Sequence, residues 1–169
     1  DEVGQINLST DWEISGSPTA GGKLSVAAQD GLPRNMMFAY PGNFGLLAGA
    51  GDDAVYAYTF STAYDITTGT YGTDSYNVVD GSPTKCLYCT NQKFIILVSG
   101  LNEVRQYTMT SNTPSTATEG TPLDISGQSV SMVGGTMNSA GTMMILGDNN
   151  GVLFEYYLST PFDVSTATY

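Results

Sequence analysis

The chain of 169 residues predicts an all-β, β-propeller-like fold. Three observations point there. A strand-and-turn unit of about 49 residues recurs along the sequence. Within each unit, alternating runs of strand length stand between Gly, Asn, Asp and Pro turn signals. One such unit forms a sheet that cannot cover both of its faces alone, so units must stack.

The repeat is clearest between Val55–Tyr71 and Leu153–Tyr169, an offset of 98 residues. A weaker copy, Val104–Thr118, lies half-way between them. A fourth copy opens the chain at Val3–Ser15. Each copy begins with an alternating strand, as in Val55, Ala57 and Thr59 against Tyr56, Tyr58 and Phe60. Three copies continue with Thr-x-x-acid: Thr10 to Glu13, Thr62 to Asp65 and Thr160 to Asp163. That is capping-box spacing, so a helical or 3₁₀ turn is expected with Thr as its cap. Pro161 then occupies the first helical position. The aromatic (Trp12, Tyr64, Phe162) and the next aliphatic (Ile14, Ile66, Val164) are expected to pin the turn to the blade. The Val104 copy lacks both acid and aromatic, and a looser turn is expected there.

The other parts recur as well. Pro33–Ala39, Pro83–Cys89 and Ser129–Gly135 take equivalent strand positions. Turns follow at Tyr40–Asn43, Thr90–Gln92 and Asn138–Gly141. Strongly apolar strands come next, at Phe44–Ala48, Phe94–Val98 and Thr142–Leu146. Polar turns at 51–53, 100–102 and 147–151 lead back to the Val55-type strand. Runs near Lys23–Ala28, Ser75–Val79 and Pro122–Ser126 supply one further strand per unit.

Four strands per unit describe a propeller blade. The most apolar strand is expected second from the axis, with the Tyr-rich strand outside it. A sandwich or a β-solenoid is the competitor, but the period is long for one solenoid coil. The expected organisation is a single repeat domain over 1–169. Residues 1–28 are opening strands, 29–79 blade 1, 80–128 blade 2, and 129–169 an incomplete blade 3. Three four-stranded blades plus an unmatched N-terminal strand segment are too few for a closed ring, which takes about 4–8 blades. Three resolutions stay open: a longer protein, two subunits completing each other's blades into six, or another assembly that covers its open edges.

The segment Tyr156–Ala167 follows the pattern Tyr-x-hydrophobic-Ser-Thr-Pro-aromatic-Asp-hydrophobic-Ser-Thr-Ala. Gln29–Phe38 supplies a companion pattern, Gln-Asp-x-x-Pro-Arg-x-hydrophobic-x-Phe. Together they resemble a repeat of β-propeller-like proteins from marine bacteriophages and marine bacteria. The resemblance spans nearly the whole chain, and Val133-Gly134-Gly135 departs from it. It implies a virion-surface or tail-fibre protein and carries no shared chemistry.

Composition narrows the classes of function. Charged residues are 12%, about half the usual ~25%. The 16 acids against 5 bases give a formal net charge of −11. Lys23, Arg34, Lys85, Lys93 and Arg105 are scattered in sequence, with no basic footprint for nucleic acid. Anionic membrane surfaces are disfavoured likewise. The longest apolar run, Phe94–Val98, is far short of the ~20 residues of a membrane span. No signal peptide is visible, but the sequence starts at Asp1 without Met, so a leader stays open.

No residue set is assigned a catalytic, cofactor-binding or metal-ligating role, and no cofactor is expected. Cys86 and Cys89 form a lone Cys-x-x-Cys in a strand. Residues three apart on a strand point to opposite faces, so they read as ordinary buried cysteines. The chain has no His, which rules out a Ser-His-acid triad. Asp52-Asp53 and Asp148-Asn149-Asn150 read as Asx turns rather than as Ca²⁺ ligands. Glu13, Asp65 and Asp163 sit in corresponding places of different blades, too separated for a glycosidase pair. Gly49–Asp53 lacks the Lys of a phosphate loop. The 11 tyrosines are expected mostly between blades, with glycan stacking as the competing use.

The expected function is therefore that of a non-enzymatic structural protein on a phage virion surface: a decoration, knob, horn or fibre component. Its partners would be other virion proteins or copies of itself. The alternative is a secreted, extracellular lectin-like adhesin, or a host-receptor-binding propeller, that takes glycans between blades.

Overall fold

The computed structural model describes residues 1–9, 13, 15–78 and 83–169; the side chains of Pro83 and Thr84 are not described. The Trp12 and Ile14 positions of the opening turn, with Thr10, lie outside the described residues, as do 79–82.

The architecture is all-β and propeller-like. A two-stranded hairpin comes first: β1 (Glu2–Asn7) pairs antiparallel with β2 (Thr19–Ser25). Blade 1 follows as β3 (Pro33–Ala39), β4 (Phe44–Gly49), β5 (Ala54–Phe60) and β6 (Gly69–Asn77), paired in that order. Blade 2 holds β7 (Pro83–Cys89), β8 (Lys93–Val98) and β9 (Glu103–Thr110). Its outer edge is built from two pieces, β10 (Thr113–Glu119) and β11 (Leu123–Asp124), both paired with β9. Blade 3 is β12 (Met132–Met137), β13 (Met143–Asp148), β14 (Leu153–Leu158) and the short β15 (Ala167–Thr168).

The first strands lie side by side, β3 against β7 and β7 against β12, and form the inner edge of a fan. The second strands of blades 1 and 2 are deeply buried. Every residue of β4 is buried, as are Phe94–Val98 of β8. They read as continuous apolar runs because each has a neighbouring sheet on both faces.

Three apolar clusters fill the three junctions. Leu47, Tyr56, Tyr58, Phe60 and Ile66 of blade 1 meet Val3 and Leu24 of the hairpin. Leu46, Ala48, Val55 and Ala57 of blade 1 meet Phe94, Ile96, Tyr107 and Met109 of blade 2. Ile95, Leu97 and Val104 of blade 2 meet Met144, Leu146, Phe154, Tyr156 and Leu158 of blade 3. Strand alternation sends Val55 and Ala57 forward to the next blade and Tyr56 and Tyr58 back to the previous one.

Several expectations require correction. The 3₁₀ turns exist at Ile66–Thr68 and Val164–Thr166, but the acid is the cap, not the Thr. Asp65 accepts from the Thr67 amide and Asp163 from the Ser165 amide. Thr62 and Thr160 instead accept the Asp amides through their carbonyls, which moves the turn three residues downstream and leaves Pro161 outside it. A short Asp side chain reaches an amide two residues on, so it outcompetes a capping box here.

The blade 2 copy is not looser. It closes as a tight hairpin with Ser111 and Asn112 at φ 37° and 64°. Asn tolerates this left-handed conformation, so no aromatic is required. The strand that follows, β10, was not expected. In blade 1 the outer strand starts at Gly69, six residues before Ser75, while β2 starts at Thr19 instead of Lys23.

Cys86 and Cys89 do not point to opposite faces. Leu87 is an extra residue in a bulge, with Cys86 opposite Ile96 and Tyr88 opposite Ile95. The bulge returns Cys89 to the Cys86 face, and both sit in the blade 1–blade 2 cluster.

Candidate functional site

The blades join through a repeated polar contact within their apolar junctions. In the alternating strand, the second forward-facing position is Gln5 in the hairpin, Ala57 in blade 1, Gln106 in blade 2 and Glu155 in blade 3. The Gln5 side-chain oxygen accepts the Ile66 amide of blade 1 at 3.0 Å. The Gln106 oxygen accepts the Val164 amide of blade 3 at 2.9 Å. Both amides begin an Asp-capped 3₁₀ turn, where a backbone donor lacks an intrahelical partner. Ala57 faces blade 2, whose corresponding connection is the tight hairpin. An acceptor thus stands wherever the next blade carries the turn.

Each turn is also fastened to its own blade. Tyr64 and Phe162 adopt φ 60° and 59°, which costs of order 1–3 kcal/mol in a non-glycine residue. In return the Tyr64 amide donates to Gly42 and the Phe162 amide to Gly141, at 3.0 and 2.8 Å. The rings lie over these glycines; a Cβ on Gly141 would collide with the Phe162 ring. Blade 2 grips the Phe162 turn further, with Lys93 Nζ on the Phe162 carbonyl at 3.2 Å and Tyr88 stacked on its ring at 4.4 Å.

Tyrosine hydroxyls inside the junctions are satisfied locally. Tyr58 donates to Gln29 Oε1 at 2.8 Å and Tyr156 to Gln128 Oε1 at 3.1 Å. Burial pushes both phenols up to about 12. Tyr107, inside the blade 1–blade 2 junction, is also raised by burial.

Asp30 is a buried acid that sequence reasoning passed over, quoted only as part of a motif. It accepts the amides of Leu32, Gly51 and Asp52 and so ties the entry to blade 1 to its β4–β5 turn. In blade 3 the same tie runs the other way, from the Ser129 hydroxyl to Asp148. The neighbouring Asp53 lies at φ 51° and leaves Oδ1 buried without a hydrogen bond. Asp148 accepts the Asn150 and Val152 amides, so its carboxylate closes an Asx turn and is held low by those bonds. Among the described residues, no group of three or more His, Cys, Asp or Glu stands together. Among them also, no helix is long and apolar enough to cross a membrane.

The thiols of Cys86 and Cys89 are buried. The hydrogen bond to Cys86, then burial, holds the Cys89 thiol well above its ordinary value, which disfavours a reactive thiolate.

Three surfaces stand out among the described residues. The first is the forward face of blade 3. Leu153 and Tyr157 are 73% and 56% exposed, whereas Val55 and Val104, at the Leu153 position, are fully buried. The Glu155 carboxylate lies beside the Tyr157 hydroxyl and raises its pKa.

The second surface is a groove of about 470 Å³ across the turn ends of the three inner strands. Met37, Phe38 and Tyr40 line it from blade 1, Leu87 and Tyr88 from blade 2, and Thr136 and Met137 from blade 3. Tyr40 is 90% exposed. The third is a pocket of about 280 Å³ at the opposite ends of those strands, where Arg34 and Lys85 converge with Ser99. These cations are distant in sequence; their equivalent places in adjacent units are the signal that could have paired them.

No family model matches the chain, and no curated protein matches it in sequence. A solved structure, a protein from Lactobacillus plantarum, is similar in fold, with a TM-score of 0.63 at 14% identity. The similarity covers 96% of this chain and 47% of that one, so this chain spans about half the length of that protein.

Proposed function

We propose that this chain is a non-enzymatic structural protein of a phage virion surface, a decoration, knob, horn or fibre component that works through protein–protein contacts. One observation carries the contact role: Leu153 of blade 3 is uncovered at the position where blades 1 and 2 bury Val55 and Val104. Such a face favours a macromolecular partner over bulk water. The virion setting rests on the repeat pattern in Tyr156–Ala167 and Gln29–Phe38. A low-lysine, acidic exterior suits a particle surface that must not self-aggregate. The test is copurification with intact particles at a fixed copy number, read by quantitative mass spectrometry. Loss of the protein from gradient-purified particles would overturn this reading.

A second reading is a secreted lectin-like adhesin. The groove beside Phe38, Tyr40 and Tyr88 favours it, since exposed aromatic faces stack on sugar rings. A glycan array together with a sugar-dependent thermal shift, abolished in Tyr40→Ala, would support this role. A flat array would remove it.

A further inference from the structure

We propose that Arg34 and Lys85 form a binding site for a small monocarboxylate, at the end of the inner strands opposite the aromatic groove. This goes beyond the contact role above and does not rest on it.

The site is a pocket of about 280 Å³. Arg34 of β3, Lys85 of β7, Ser99 of the β8–β9 turn, and Met132 and Val133 of β12 line it. Its walls therefore come from three consecutive blades and lie well inside the chain.

Charge singles this pocket out. The chain holds only five bases against 16 acids, yet two of the five line this pocket. Among the described residues, no acid lines it. The other three bases are committed elsewhere: Lys23 to Glu2, Arg105 to Glu103 and Glu119, and Lys93 to the Phe162 carbonyl. Among the described residues, neither Arg34 nor Lys85 has an ion pair or a hydrogen bond. Arg34 also borders a neighbouring cleft with Glu2, but that carboxylate is paired to Lys23 at 2.7 Å. Two convergent cations repel, and an oxyanion between them accepts charge-assisted hydrogen bonds from both.

The frame around the two cations is fixed. Asn35 follows Arg34 and Cys86 follows Lys85. The Cys86 amide donates to Asn35 Oδ1 at 2.8 Å, which joins β3 to β7 directly beside both cations. Arg34 is itself the bulged residue of β3, and a bulge re-aims its side chain. Blade 3 puts Val133 in the corresponding bulge and Gly134 after it. A Cβ on Gly134 would stand 3.6 Å from Lys85 Cε, so a longer side chain there would take the room of the lysine. The Val133-Gly134 departure from the repeat thus supplies an apolar wall and space for the charge.

The dimensions and charges select the ligand. The pocket lies just below the ~300–1,000 Å³ of ordinary small-molecule sites, so the ligand is small. The Arg fork matches a carboxylate, and Lys adds a point charge. Phosphate fits the fork as well, but a net charge of −11 repels a dianion more than a monoanion. Met132 and Val133 suit an apolar or weakly polar body, and the Ser99 hydroxyl can donate to it.

The experiment titrates the 169-residue chain, labelled with ¹⁵N, with isobutyrate, glucuronate, phosphate and glucose, read by amide chemical shifts. The two carboxylates are expected to saturate and to move the amides of Arg34, Lys85 and Cys86, and glucose to move none. Arg34→Gln and Lys85→Gln should each raise the carboxylate Kd at least about tenfold. Lys23→Gln makes the same charge change outside the pocket and should leave Kd unchanged. Gly134→Val keeps every charge and should weaken binding by crowding Lys85. Thermal midpoints verify that each variant folds.

No saturable carboxylate binding overturns the proposal. So does equal weakening by Lys23→Gln, which would mark a general charge effect, or binding insensitive to Arg34→Gln and Lys85→Gln. Phosphate binding tighter than both carboxylates overturns the ligand class. Each of these outcomes leaves the virion reading standing, because particle copurification tests that separately.

Discussion

The junctions on the two sides of blade 2 are made differently. Against blade 1 it presents Phe94 stacked on Tyr107 at 4.7 Å, packed onto small residues, Ala48 and Ala57. Among the described residues, no side chain from β5 takes a backbone amide there. Against blade 3 it presents Gln106 and Lys93, which hold the Val164 amide and the Phe162 carbonyl within a methionine-rich contact of Met132, Met137 and Met144. The first junction combines close packing with the Cys86 amide on Asn35 Oδ1 at 2.8 Å; the second sets its two hydrogen bonds in more forgiving packing. Local sequence at one position, Ala57 or Gln106, tracks the connection used by the following blade. The blades are therefore not interchangeable, even where their strands superpose in pattern.

The largest break is expected at the shape-dependent side. Phe94→Ala removes a fully buried ring from the blade 1–blade 2 cluster and should cost about 3–5 kcal/mol in denaturant unfolding. An effect below about 1 kcal/mol would mean that this junction can collapse onto the void. Next comes Gln106→Ala, which strands the Val164 amide; about 1–3 kcal/mol is expected. Amide hydrogen exchange should localise the added opening to residues 160–168, leaving blade 1 unchanged.

The smallest effect is read by pH. Tyr58 and Tyr156 have folded phenol values raised from 10.0 to about 12. A raised phenol favours the folded state while it is protonated. That stabilisation is complete below about pH 10 and is lost as pH rises through about 12. Unfolding midpoints measured across this window should fall, and Tyr58→Phe or Tyr156→Phe should flatten the fall.

Much of the fold was legible because strand burial imprints directly on sequence. Phe44–Gly49 and Phe94–Val98 are apolar on both faces since both faces are covered, and the Val55-type strands alternate since their two faces meet different neighbours. The Asp and Asn turns were legible for the same local reason. What was hidden required either one inserted residue or a partner far along the chain. The Leu87 bulge reverses a face assignment that simple alternation makes for Cys89. Gln5 and Gln106 meet amides 61 and 58 positions away, and nothing local marks them as more than strand residues. The cap position failed for a subtler reason. Thr-x-x-Asp fits a capping box, but Asp also caps on its own, and spacing cannot tell which side chain accepts.

The alternative connections carry a consequence for ancestry. A blade that lacks the acceptor can precede only a blade that lacks the turn without stranding an amide, as blade 1 precedes blade 2. Unequal recombination between the repeats is tolerated where acceptor and turn travel together and penalised where a crossover separates them. Such filtering would leave a strong resemblance between segments 98 residues apart and a weaker one at half that distance, which is the pattern of this sequence.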